Sequence, residues 1–228
     1  RSLGSWDSPT WYLDGAVHVA DGATLTIEPG VTLKMGTENA GIIVDGTLLA
    51  VAPVDNPIVF TSVDDDCVGT PADTRSDAWN RAPCPGDWNS LSFRPGSTGS
   101  RLDGCVIRFG GSGRRGAVAA TGTDVPIANS LFEYNLAALG SQGLDLELVH
   151  DKRDLGLSNV AFLNNVADMV VHIGGTLTRD AVLRDVPGLD PVFVLDRDLI
   201  IPFGTHLEIQ PGVDIYAVSA GIDVYGSL

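Results

Sequence analysis

Helical periodicity is almost missing from this chain of 228 residues. No stretch repeats apolar residues at the three- and four-residue spacing of an amphipathic helix, which excludes helix bundles and alternating strand–helix folds. No apolar run approaches the roughly 18 residues that a membrane-crossing helix needs. Cations are scarce. Fourteen Lys and Arg stand against 29 Asp and Glu, a net charge of −15. That balance argues against a nucleic-acid partner, because phosphates would be repelled. There are only three cysteines, with no C-x-x-C and no paired histidine beside them, which argues against zinc. Also lacking are a G-x-S-x-G elbow, an H-E-x-x-H pair and a glycine loop leading into a helix, so the usual hydrolase, metalloprotease and phosphate-binding sites have no foothold. Disorder is excluded too, since 44% of the residues are apolar and only 19% are charged.

What the chain has is alternation. Val17 and Val19, Leu25 and Ile27, Val31, Leu33 and Met35, Ile42 and Val44, and Ile58 and Phe60 each skip one residue. Period two means strands. The strands are short, and Gly, Pro, Asn or Asp interrupts them every few residues. Breaks of one or two residues, as at Pro29-Gly30 and Asp45-Gly46, are too frequent for a sandwich and suit a coil that turns about three times per circuit.

The chain also repeats itself over a long distance. Leu13, Asp14, Gly22, Leu25, Ile27, Pro29, Gly30 and Val31 recur as Leu195, Asp196, Gly204, Leu207, Ile209, Pro211, Gly212 and Val213. Gly41, Ile42, Val44, Gly46 and Leu48 recur as Gly221, Ile222, Val224, Gly226 and Leu228. Between these copies a shorter phrase returns at 102–111, 127–136, 157–166 and 178–186, one phrase per coil. Asn129, Asn135, Asn159, Asn164, Asn165 and Asp180 sit beside its apolar positions. Asn and Asp tolerate the left-handed backbone of sharp corners, and stacked Asn side chains can hydrogen-bond from coil to coil. Repetition of this kind predicts a stacked solenoid of about seven to nine coils, each burying its inner face on its neighbours.

These residues carry a resemblance. The segments GATLTIEPGVTLKMG, GIIVDGTLLA, NPIVFTS, GDWNSLSF and LDGCVIRFGG resemble secreted bacterial proteins of the right-handed parallel β-helix class, the pectate-lyase-like solenoids, in their non-catalytic surface type. The resemblance runs over nearly the whole chain and is densest over 11–62 and 86–111. It implies an all-β, right-handed parallel β-helix and says little about activity, because the matching residues are corners and core. Residues 1–15, with Trp6, Trp11 and Tyr12, are expected to cap a single β-helix over 16–228, with 192–228 repeating the 11–48 pattern. A chain that opens at Arg1 and stops inside the second copy reads as a piece of a longer protein, or as an edge that meets another subunit.

Residues 62–87 depart from plain coil, and a loop that long is usually functional or stapled. Cys67 and Cys84 flank its polar stretch and are expected to form a disulfide worth about 3 kcal/mol, outside the reducing cytosol. Cys105, in an apolar strand, is expected to be buried and free. Asp64, Asp65, Asp66, Asp73 and Asp77, with Asp87 nearby, are a candidate Ca²⁺ site, since clustered carboxylates in Gly/Pro-rich loops hold that ion. The alternative is a solvated acidic loop. Trp79 and Trp88 are candidate sugar-stacking rings, though Trp88 also fits a packed corner. Asp145, Glu147, His150, Asp151, Lys152, Arg153 and Asp154 form the densest charged run. It supplies the groups a polysaccharide lyase or glycoside hydrolase would need, or is simply a surface loop. His18, His150, His172 and His206 are scattered, with His18 turned away from the face of its valine neighbours. Arg108, Arg114 and Arg115 make a basic spot that fits an ion-paired loop.

The reading that follows is a non-catalytic extracellular scaffold, adhesion or assembly module. Its partners would be other copies of itself, end to end, or cell-surface polysaccharide or protein. A β-helix polysaccharide enzyme and a Ca²⁺-stabilised carbohydrate-binding module are the alternatives.

Overall fold

The computed structural model describes residues 2–3, 10–73, 81–114, 116–121, 123, 125–142, 157–177, 180–183, 189 and 192–228. They form an all-β parallel solenoid of about seven turns. Among them the one helical element is the 3-10 turn Ser112–Arg114.

Over the first six circuits each circuit lays one strand on each of three faces, and the strands pair in parallel with their counterparts one circuit away. Sheet one has six strands: Ser2–Leu3, Thr24–Ile27, Thr47–Val51, Arg101–Asp103, Ile127–Ala128 and Leu157–Ser158. Sheet two also has six: Thr10–Leu13, Thr32–Met35, Ile58–Ser62, Cys105–Arg108, Leu131–Glu133 and Ala161–Leu163. Sheet three stacks Ala16–Val19, Gly41–Val44, Leu91–Phe93, Val118–Ala120, Leu139–Gln142, Met169–Thr176, Val192–Ile201 and Asp214–Ala217, with Ile222–Val224 pairing the far half of Val192–Ile201. A short fourth sheet joins Ala181–Leu183 to Leu207–Ile209. Ser2–Leu3 and Thr10–Leu13 thus belong to the stack itself. Trp6 lies outside the described residues.

Alternation sends one side chain in two to the interior, where it meets the same position one rung away. Sheet one stacks Ile27, Ala50, Leu102, Ile127 and Leu157. Sheet two stacks Leu33, Phe60, Ile107, Phe132 and Phe162. Sheet three stacks Ile42, Leu91, Val118, Leu139 and Met169. Leu33, Phe60, Ile107, Phe132, Leu91 and Leu102 are fully buried. Each such side chain contributes about 1.5–3 kcal/mol. The phrases at 102, 127 and 157 fall in register, as one phrase per coil requires. The fourth does not extend those stacks: among the described residues its strand Ala181–Leu183 pairs only forward, with Leu207–Ile209.

The corners use the predicted chemistry. Asn129, Asn159 and Asn164 adopt positive φ of 47°, 53° and 54°. The Asn159 Nδ2 donates to Asn129 Oδ1 at 2.9 Å, and the Asn129 Nδ2 donates to Asp103 Oδ1 at 2.9 Å. A second ladder runs outward from the fully buried Asn135. Gly110 N–H donates to Asn135 Oδ1 at 2.9 Å, Asn135 Nδ2 to Asn165 Oδ1 at 2.9 Å, and Asn165 Nδ2 to Asp168 Oδ1 at 3.1 Å. The repeated glycines Gly46 and Gly226 answer one demand. A Cβ at Gly46 would strike the carbonyls of Ala20 and Ala23, and one at Gly226 those of Pro202 and Thr205. Side chains are excluded there because one rung's corner rests on the next.

Candidate functional site

The insertion 62–87 leaves the stack after Ile58–Ser62 and returns at Leu91–Phe93. Its described first half, up to Asp73, straps the outer face of sheet two. Outward positions of that sheet read Tyr12, Lys34, Thr61, Arg108 and Glu133 on successive rungs. The strap covers their middle, so Lys34 is completely buried although it points away from the core.

A buried cation needs partners. Lys34 Nζ donates to the carbonyl of Asp65 at 2.8 Å and to that of Ala72. Asp65 gathers the centre. Its carboxylate accepts from Thr61 Oγ1 at 2.5 Å and from Cys67 N–H at 3.2 Å, and pairs with Arg108 Nε at 2.8 Å. Arg108 extends to Glu133 at 3.2 Å. Asp64 pairs with Arg81 at 2.8 Å. Asp87 accepts from Ser62 Oγ at 2.8 Å and from Cys84 N–H at 2.9 Å. Thr70 N–H donates to Thr10 Oγ1 at 2.6 Å, reaching the first rung. Burial pushes the Lys34 ammonium below its ordinary pKa, and the carboxylates of Asp65, Asp66 and Asp73 oppose that shift.

This arrangement corrects one expectation, the disulfide, and places the described residues of two others. The Cys67–Cys84 bond is absent: both are exposed free thiols, and Cys105 is a buried free thiol. The described part of the loop is fastened by carboxylates and backbone carbonyls instead. Burial pushes the Cys105 thiol up to about 12, so it stays protonated. Asp64, Asp65 and Asp66 are buried, not solvated. Asp64 and Asp65 face this chain's own arginines. Among the described residues no three His, Cys, Asp or Glu side chains gather as a metal site. Asp73 lies near Lys34, and Asp77 is outside the described residues. Trp88 is fully buried and donates its Nε1–H to the Arg108 carbonyl at 2.8 Å, so it has no ring face for a sugar. A Cβ at Gly110 would overlap that indole, which explains the glycine. Trp79, Arg115 and the whole run Asp145, Glu147, His150, Asp151, Lys152, Arg153 and Asp154 are outside the described residues.

His18 points outward as expected and pairs with Asp45, which Arg94 approaches at 3.7 Å. His206 lies far along the stack, its Nδ1 2.9 Å from Ser227 Oγ. His172 is in the strand Met169–Thr176. His18 and His206 do not share a site. Beyond the strap, the outer face of sheet three changes along its length. Near the start it is a shallow groove lined by Asn39, Asn89, Ser90, Ser92, Arg94 and Thr121. Towards the other end the lining turns apolar, with Val166, Val170, Val194 and Tyr216.

Sequence reasoning missed Lys34 and Arg108 as the foundation of the strap. The available signal was a cation between the buried Leu33 and Met35, one rung before a long acidic insertion. No family model, curated protein or solved structure matches the chain.

Proposed function

We propose that this chain is a non-catalytic scaffold: a rigid segment of a secreted or surface-exposed bacterial protein of the pectate-lyase-like solenoid type, which presents its outer faces to other copies or to cell-surface polysaccharide or protein. The observation that carries this reading is how the fold spends its charges. Lys34, Arg108, Arg81, Asp64, Asp65 and Glu133 are drawn together, and they close a strap instead of opening a cleft. General acid–base chemistry needs carboxylates that can reach a substrate. Among the described residues the most convergent ones are buried and ion-paired. A continuous core of stacked aliphatics and phenylalanines gives the stiffness that a spacer needs.

Incubation with neutral and acidic polysaccharides, read for new reducing ends and for unsaturated products, tests the reading. No product is expected, together with short straight particles in electron microscopy. Catalytic release of either product replaces the scaffold by a β-helix enzyme.

A further inference from the structure

Phe203 and Tyr225 are corner residues on consecutive rungs, just before Gly204 and Gly226. They are 85% and 57% exposed. Their ring centroids lie 6.2 Å apart, with the planes tilted by 48°. The repeat provides an internal control. The matching corners of the first copy, just before Gly22 and Gly46, are Asp21 and Asp45. One backbone corner therefore carries two carboxylates in one copy and two uncovered aromatic rings in the other. Folding does not require the rings, because the first copy makes the same corner without them.

A second aromatic pair shows what a structural stack looks like here. Phe109 and Tyr134 also occupy consecutive corners, but their rings lie 5.8 Å apart and only 14° from parallel, so each shields one face of the other, although Tyr134 keeps 42% of its surface exposed. Phe203 and Tyr225 are splayed, and their faces are open to an incoming ring. They border a shallow, open depression rimmed by Asp180, Thr205, His206 and Ser227. The rim is held in place: Asp180 Oδ1 accepts the His206 N–H at 2.7 Å, Thr205 Oγ1 donates to the Pro202 carbonyl at 2.8 Å, and His206 meets Ser227.

We propose that this corner is a binding site for a neutral oligosaccharide. The apolar C–H face of a pyranose ring fits an exposed aromatic face, and the polar rim can hydrogen-bond its hydroxyls. Rungs repeat every ~4.8 Å, close to the length of one pyranose residue, so successive sugars meet successive rungs. Among the described residues, those that line the depression include Asp180 and neither Lys nor Arg. With a net charge of −15 on the chain, a uronate polymer is disfavoured. The site deepens the scaffold reading by placing its polysaccharide partner and rests on that reading, but the two fail separately: cleaved polysaccharide would overturn the scaffold, and absence of sugar binding would overturn this site alone.

Isothermal titration calorimetry with cellohexaose and mannohexaose, and with hexagalacturonate as the anionic comparison, is the test. At least one neutral hexasaccharide is expected to bind. Phe203→Ala and Tyr225→Ala should each weaken it about tenfold, and Tyr225→Phe should keep most of the affinity. The double variant Phe203→Asp with Tyr225→Asp, which restores the first copy's residues, should abolish binding while circular dichroism shows an unchanged fold. The proposal is overturned if neither neutral hexasaccharide binds, if the double variant binds as well as the parent, or if hexagalacturonate binds more tightly than both.

Discussion

The two copies of the long repeat occupy different surroundings, and the contrast separates what the pattern encodes from what its neighbours supply. In the first copy Leu33, Met35, Ile42, Val44 and Leu48 are fully buried. In the second, Ile215 and Ile222 are only partly covered, while Val224 is 44% and Leu228 63% exposed. Backbone pairing explains the difference. Thr32–Met35 is hydrogen-bonded to strands on both sides, Thr10–Leu13 and Ile58–Ser62. Asp214–Ala217 and Ile222–Val224 pair on one side only among the described residues, with Val192–Ile201. Alternation thus fixes which way a side chain points. Burial comes from the adjoining rung. Outward positions diverge as well: Lys34 lies under the strap, and its counterpart Tyr216 is exposed.

The sharpest way to break the comparison is at equivalent inward positions. Leu33→Ala should cost about 4 kcal/mol, because the rungs above and below hold the cavity open, while Ile215→Ala should cost about 1 kcal/mol. Urea denaturation of both variants measures the gap, and equal losses would mean that neighbour packing does not set burial. Asp65→Ala comes next. It takes the Asp65 carboxylate from Arg108 and one neighbouring negative charge from the buried Lys34, whose bond to the Asp65 backbone carbonyl remains, and should cost about 3 kcal/mol. Asn135→Ala breaks the second amide ladder and should cost about 2 kcal/mol, since Gly110 N–H and Asn165 lose their partner. The same titration read by calorimetry would detect it.

Acid–base behaviour sharpens the contrast further. Because burial depresses the Lys34 pKa below 10.5, the unfolded chain binds that proton more tightly than the folded chain does. Stability contributed at this position should therefore rise as the pH climbs from the depressed value towards 10.5, and Lys34→Met should lack that rise. Urea midpoints across alkaline pH for the parent and the variant make the measurement. The smallest effect belongs to His18, whose counterpart in the second copy is Ile200. His18→Ile loses an exposed pair with Asp45 and should change stability by at most about 0.5 kcal/mol, less in high salt.

The solenoid was legible because its grammar is local. Leu33 and Phe60 alternate with outward residues, Gly46 and Gly226 recur at the crowded corners, and Asn129, Asn159 and Asn164 stand where the backbone turns left-handed. Bulky corners broke that grammar. Phe109 and Tyr134 hold φ of 62° and 55°, conformations usually left to Gly or Asn, and their mutual stacking offsets the strain. The strap was illegible for another reason. Asp65 takes Lys34 and Arg108 from separate rungs, and nothing in the run of aspartates names those partners. A polar loop between two cysteines looks the same whether a disulfide or a buried ion pair closes it. The aromatic corner was hidden likewise, because Phe203 and Tyr225 become neighbours only after a whole circuit is wound.

The strap has one further consequence. A solenoid pulled from its ends peels one circuit at a time, since each circuit grips only the next. Through Thr10, Lys34, Thr61 and Arg108, one short crossing segment rivets four successive circuits. Under load that block should yield as a single unit, leaving a tough root to which the remaining circuits are attached like a whip.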